Sequence, residues 1–285
     1  MYIDFEYDGL KLSDMGYMLC KFDSGGLETV SNGAQITFNT VPIQNGAKYV
    51  LANTQYDTCL EATFQICKNA CGSENDMELT VKEVRELSSW LSRNKYLKFK
   101  LLDDEYMNLY FESSFNVSLI KFGGSIIGLE LHMTTNRPFA LMEPRTIMLS
   151  TTEMDETKVI YDISDKEGYI YPYMEITMKK ASGDGENGSR PFTITNNAEK
   201  ISANGAGRIT QIKNCEKGEV ITLDYPTISS THRQHENILE NGLPNDFNWV
   251  FFRISNTYRN PENEIVISHP CDIKIVYSPI AMIGI

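Results

Sequence analysis

A chain of 285 residues is about twice the ~150-residue modal domain, so two compact units, each with a core of its own, are expected. With 41% hydrophobic and 22% charged residues, including 15 Tyr and 13 Phe, intrinsic disorder is excluded. Lys+Arg 26 against Asp+Glu 38 leave a net charge of −12, which argues against a basic phosphate-binding face and so against a sequence-specific nucleic-acid partner.

The opening Met1-Tyr2-Ile3-Asp4-Phe5-Glu6 lacks a basic n-region and a long apolar h-region, so no secretory export is expected. Apolar runs such as Ser125 to Leu131 and Pro279 to Ile285 are less than half the roughly 18 residues of a membrane span, and no membrane partner is expected. The cysteines at 20, 59, 67, 71, 215 and 271 are irregularly spaced, which favours reduced thiols over a disulfide framework.

In chain order, Ile36-Thr37-Phe38 begins the alternation that marks half-buried strands. Leu60, Ala62, Phe64 and Ile66 then point one way, with Glu61, Thr63 and Gln65 the other. The pattern changes at Thr80-Val81-Lys82-Glu83, a capping box, followed by Val84, Leu87, Trp90 and Leu91 at helical spacing and a Lys82/Glu86 pair. One helix over about 80–93, ending near Arg93-Asn94, is predicted to cover a sheet face. Leu97 to Leu101 resumes as a strand, and Asp103-Asp104-Glu105 turns the chain into another at Tyr106 to Phe111.

Ile127, Leu129, Leu131 and Met133 alternate up to Thr135-Asn136-Arg137-Pro138, where proline ends the ladder and marks a boundary. Units of 1–138 and 139–285 follow. The second repeats the strand pattern at Met174 to Met178, Val220 to Tyr225, Val250 to Ile254 and Ile273 to Tyr277, with a loop over Ser182 to Ser189. Asn-Gly pairs at 32–33, 45–46, 187–188, 204–205 and 241–242 suit tight hairpins. The expected class is mainly β and antiparallel.

Reactive constellations are scarce, so no catalytic, cofactor-binding or metal residues are assigned and no cofactor is expected. His232-x-x-His235 lacks the spacing and intervening Glu of a zinc-protease helix and reads as a solvated loop. Cys67-x3-Cys71 has no second pair at finger spacing, and Cys67 continues a strand. Asp184, Glu186 and Asn187 place oxygens in a glycine-rich loop without the twelve-position calcium pattern. Gly123-Gly124 precedes a strand and is no phosphate cradle. For glycan stacking the tryptophans are Trp90, read as core, and Trp249, which begins a predicted strand and is either core or platform.

Phe5-Glu6-Tyr7-Asp8-Gly9, followed by Leu12-Ser13-Asp14-Met15-Gly16-Tyr17, resembles the start of the distal tail proteins of long, non-contractile-tailed bacteriophages, the siphovirus tail component family. The likeness continues through Val84 to Leu91, Tyr96-Leu97-Lys98-Phe99 and Arg137-Pro138-Phe139-Ala140. In the second half Tyr169-Ile170-Tyr171-Pro172, Ile194-Thr195-Asn196-Asn197, Gly218-Glu219-Val220 and Asn245-Asp246-Phe247-Asn248 carry it, so that it spans nearly the whole chain. One departure is Asn256 to Asn263, longer than the family's short Gly-x-Asn turn.

The resemblance implies two β-sandwich-like domains, the first with one helix and a protruding hairpin, the second galectin-like. It implies a non-enzymatic virion protein at the tail tip, made in the host bacterial cytoplasm, which forms a homo-oligomeric, usually hexameric, ring with a channel for DNA. Its implied partners are the tail tube and tape-measure proteins on one side and the tail-associated lysin or receptor-binding hub protein on the other. The hairpin that reaches the neighbour as a belt corresponds to about 39–56, with Asn45-Gly46 near the tip. Val41, Ile43, Tyr49, Val50 and Leu51 are its candidate interface residues, because an apolar hairpin could mate with a neighbour instead of lying exposed; an ordinary intramolecular hairpin is the alternative. The acidic balance would let DNA slide through a lumen without adhering. The alternative function is a carbohydrate-binding module for host polysaccharide, with Trp249 as platform.

Overall fold

The computed structural model describes residues 4–22, 36–43, 46, 48–69, 77–104, 106, 108–186, 189–199, 205, 207–232, 243–256 and 261–283. The chain divides into two compact units, Met1–Glu143 with Ala281–Ile285, and Pro144–Ile280. Each has a separate apolar core. Both are mainly β, and every strand pairing detailed below is antiparallel. No helix among the described residues is long and apolar enough to cross a membrane.

In the first unit the sheet runs in the order Leu10–Lys11, Phe5–Tyr7, Leu97–Leu101, Leu109–Phe122, Ser125–Thr135, Glu61–Lys68, Tyr17–Cys20. Ala140–Met142 adds to the Leu109–Phe122 strand, and Ala140 N donates to Ile283 O at 3.2 Å. The strand expected from Tyr106 starts only at Leu109, because Tyr106 closes a turn, its N–H on Asp103 O at 3.0 Å and its carbonyl accepting from Leu109 N at 2.8 Å. Leu109–Phe122 and Ser125–Thr135 form one long hairpin that reverses on Gly123 and Gly124, at φ 58° and 96°. Two successive positive φ values are what a two-residue hairpin loop requires, and glycine supplies them without steric cost.

The helix occupies Val81–Leu91. Thr80 Oγ1 accepts from Glu83 N at 3.3 Å while Glu83 Oε2 accepts from Thr80 N at 2.7 Å, so two otherwise orphaned amides are satisfied reciprocally. Such a cap contributes about 1 kcal/mol. Burial alone would raise the Glu83 pKa, but the hydrogen bonds from Thr80 and the Lys68 ammonium at 3.0 Å hold it below its ordinary value. The helix stops sooner than Arg93-Asn94: Ser92 has left helical geometry, and the Arg93 carbonyl is taken by Ser114 Oγ at 2.6 Å. Leu87, Trp90 and Leu91 are buried against the sheet. The Trp90 ring stacks on Phe5 at 5.9 Å, and its Nε1–H donates to Tyr7 O at 3.1 Å. Phe5, Phe64, Phe111 and Phe115 in turn surround Phe99, with centroids 5.4–6.5 Å away.

The second unit is a sandwich. One sheet runs Arg145–Ser150, Cys271–Tyr277, Tyr173–Met178, Val220–Asp224, Thr227–Ser230; the other runs Glu156–Tyr161, Glu262–Ile267, Phe192–Asn196, Arg208–Ile212. Along Tyr173–Met178 and Cys271–Tyr277 burial alternates residue by residue, which turns Met174, Ile176, Met178, Ile273 and Ile275 inward. Phe192, Ile194, Ile212, Ile265 and Ile267 join the same core from the facing sheet. A short helix at Leu243–Asp246 was not legible as a helix because it lasts a single turn.

The strand expected over Val250 to Ile254 does not form there; regular pairing covers Ile254–Asn256, against Gly168–Ile170. Trp249, expected to begin it, has φ 59° and lies outside any strand. Phe251 and Phe252 are both buried, which a period-two strand facing solvent on one side cannot achieve. The carbonyls are satisfied from side chains instead: Phe251 O by Arg208 Nε at 2.9 Å and Arg253 O by Asn196 Nδ2 at 2.9 Å.

On the sandwich surface Glu156 receives Lys158 Nζ at 2.5 Å and Thr152 N at 2.9 Å. The Lys158 hydrogen bond first, then the Thr152 amide, bring its pKa down to about 2. Since the unfolded value is near ~4.3, this contribution to stability is present above that pH and is lost as pH falls through about 2. Carboxyl-resolved NMR titration should show Glu156 ionising near that pH, and Lys158→Gln should move it up; an unmoved titration would contradict the assigned cause.

Candidate self-assembly surface

Ile36–Ile43 and Lys48–Tyr56 form a two-stranded sheet that pairs with no other described strand. Their register runs from Ile36 opposite Tyr56 to Ile43 opposite Lys48, with a shift between Asn39 and Thr40 that leaves Ala52 as the extra residue. Gly46, at φ 84°, donates its N–H to Ile43 O at 3.2 Å. Asn45, the other half of the expected tip, lies outside the described residues.

Directly opposed residues share a face, so the register sorts the side chains. Val41 opposes Val50 and Ile43 opposes Lys48, placing Val41, Ile43 and Val50 together. Leu51 opposes Thr40 and Tyr49 opposes Pro42, which puts Tyr49 and Leu51 on the reverse side, with Ile36 and Phe38 further along the alternation. All five sequence-selected residues are exposed, Tyr49 at 66% and Leu51 at 51%. Phe38, at 64%, belongs with them and was overlooked because the hairpin was expected to start at residue 39. Its signal was the Ile36-x-Phe38 alternation.

The base of the hairpin is tied down through Tyr56. Its ring meets Phe139 edge-on at 6.2 Å, and its hydroxyl lies 3.9 Å from Met282 Sδ. Beyond that anchor, apolar side chains cover both faces of a ribbon whose two outer edges pair with no other strand among the described residues. A free two-stranded ribbon is marginal in water, and an exposed apolar patch with unpaired edges is a surface made to be covered.

The other sequence-selected groups serve local structure. Asp184 accepts from Glu186 N at 2.7 Å and Ser189 Oγ at 2.5 Å inside its own loop, while Asn187 is outside the described residues. His232 Nδ1 lies 2.8 Å from Thr231 Oγ1, and His235 is not among the described residues. Cys67 is a buried thiol on its strand, and Cys71 also falls outside the description. Among the described residues no three His, Cys, Asp or Glu side chains are placed to share a metal ion. Trp249 is 56% exposed, its Nε1–H donating to Pro244 O at 3.0 Å.

The described residues thus form a two-unit, mainly antiparallel β chain that carries an exposed apolar ribbon. The chain belongs to the phage tail protein family: residues 1–137 match its phage tail protein N-terminal domain and residues 139–277 its phage tail C-terminal domain. Among solved structures it is similar to the Dit protein of phage SPP1, described as a paradigm of the hub adsorption apparatus in phages infecting Gram-positive hosts. Identity there is 10%, over 98% of this chain and 99% of that one, with a TM-score of 0.62, which shows a shared fold. A chain of the phage P2 baseplate in its activated conformation with Ca is also similar, at 11% identity over 97% of this chain and 98% of that one, with a TM-score of 0.44. No curated protein matches the chain.

Proposed function

We propose that this phage tail protein is the distal hub of a long, non-contractile tail, a non-enzymatic brick whose copies close head-to-tail into a ring, hexameric by the family resemblance. The ribbon at Ile36–Tyr56 is the belt that each copy lays on its neighbour, and this exposed apolar ribbon is the observation that carries the reading. A head-to-tail contact uses two different patches, so it closes into a ring when the rotation between copies permits. The ring joins the tail tube and tape-measure end to the host-recognition or lysin protein. Its net charge of −12 keeps DNA passing through the lumen from adhering.

Multi-angle light scattering on the purified chain tests this. The expected mass is six times the 32.4 kDa of one chain. A strictly monomeric mass at micromolar concentrations would contradict the ring.

A further inference from the structure

Aromatic rings in the second unit touch in an unbroken series. Phe247 meets Trp249 at 5.7 Å, Trp249 meets Phe251 at 6.4 Å, and Phe251 meets Tyr225 at 5.2 Å. Tyr225 stacks on Tyr171 at 4.3 Å with 13° between the rings, and Tyr171 meets Tyr169 at 5.9 Å. Within this series Phe247 and Phe251 are buried, while Trp249, Tyr225 and Tyr169 are each more than half exposed. The buried rings therefore act as a floor under Trp249 and Tyr225, while Tyr171 links Tyr225 to Tyr169.

The exposed rings are fixed in place. Trp249 is a bulky residue at φ 59°, a backbone state that costs free energy and persists only where its surroundings impose it. Its Nε1–H is bound to Pro244 O, and its ring leans on Phe247 and Phe251. At the other end the Arg253 guanidinium lies 3.6 Å from the Tyr169 ring centre and is held by Glu199 through Nε at 2.7 and 2.9 Å. That pair cancels its own charge. The hydroxyls of Tyr169 and Tyr225 have no hydrogen-bond partner among the described residues.

From this geometry we infer that the Trp249–Tyr225–Tyr169 strip is a binding platform for a neutral oligosaccharide. Pyranose rings present flat C–H faces that stack on aromatic rings, and their hydroxyls find the phenols of Tyr225 and Tyr169. Rigid exposed aromatics with polar tips bind such ligands at little entropic cost. Anionic polymers are disfavoured by the net charge of −12, and the Arg253 guanidinium against Tyr169 is already paired with Glu199. The belt ribbon differs in kind, its exposed apolar residues being mostly aliphatic.

The test uses the full chain and a panel of maltohexaose, cellohexaose, laminarihexaose and chitohexaose, with a hyaluronan oligosaccharide as the anionic comparison. Binding is read by calorimetry and by tryptophan emission, to which exposed Trp249 responds while buried Trp90 does not. At least one neutral hexasaccharide should bind, about tenfold more weakly to Trp249→Ala and to Tyr225→Ala, with Trp249→Phe retaining most of the affinity. Light scattering should give the same mass for all variants. Silence across the neutral panel, preference for the anionic sugar, binding indifferent to both alanine substitutions, or a change of oligomeric mass in Trp249→Ala would each overturn the assignment. The last outcome would make the strip a contact between copies.

Discussion

Replacing Tyr49 and Leu51 together by Asp should convert the assembled protein to monomers while leaving the fold of the body intact. Both side chains lie on the same face of the ribbon and are more than half exposed in the single chain. Covering a side chain of this size contributes about 1.5–3 kcal/mol, so losing two and burying charge instead weakens each subunit contact by ~3 kcal/mol or more, a hundredfold or greater. Because the ribbon packs on its own unit through Tyr56 at the base, the thermal midpoint should stay within about 2 °C of the parent, as for other surface substitutions. Val41→Asp examines the opposite face on its own. Light scattering and a thermal scan read both effects, and assemblies of unchanged mass in the double variant would remove the belt from the account.

The largest effect on folding is expected at Asn263. Its side chain is fully buried, and every hydrogen-bonding position on it is used. Oδ1 accepts from Asn196 Nδ2 and Ser255 N, each at 2.8 Å, while Nδ2 donates to Ser255 O at 2.8 Å and Pro261 O at 3.1 Å. The amide thus fastens the start of the Glu262–Ile267 strand to the Ile254–Asn256 strand, which directly follows the irregular stretch that carries Phe251 and Phe252 into the core. Asn263→Ala would leave several buried donors and acceptors unpaired at once, for a loss of about 3 kcal/mol or more. Asn263→Asp keeps the two accepted bonds but sets a carboxylate against the carbonyls of Ser255 and Pro261, so its penalty should grow as pH rises and the acid ionises. Hydrogen exchange resolved by residue should show the loss confined to residues 144–280. An unchanged exchange profile would mean that the network contributes nothing to stability.

Much of the strand framework was readable because burial on one sheet face imposes alternation. Ala62 to Ile66, Met174 to Met178 and Ile273 to Tyr277 all lie in strands with alternating cover. The helix start was readable for a local reason: Thr80 and Glu83 satisfy each other's amides, an interaction that needs only four consecutive residues. Val250 to Arg253 misled because a run rich in large apolar residues looks the same whether its carbonyls are met by a ladder or, as at Phe251 and Arg253, by Arg208 and Asn196, residues distant in sequence. The extent of the Gly123-Gly124 hairpin escaped notice since the Asn-Gly signal is only one way to reach two positive φ values.

The exposed ribbon was legible in part. An apolar hairpin with a turn signal pointed to Val41, Ile43, Tyr49, Val50 and Leu51, but their division between two faces depends on the pairing register, Val41 against Val50 and Pro42 against Tyr49. Composition alone does not encode that register. The Trp249 strip was harder, for its members come from segments at 169–171, 225 and 247–251 that only the folded sandwich brings into ring contact.

Electron microscopy of the purified chain in negative stain tests self-assembly most directly. Class averages should show closed rings with a stained central hole, and the rings should vanish when Tyr49 and Leu51 are both replaced by Asp. A field of small solid particles without a hole, the same for parent and variant, would contradict the account.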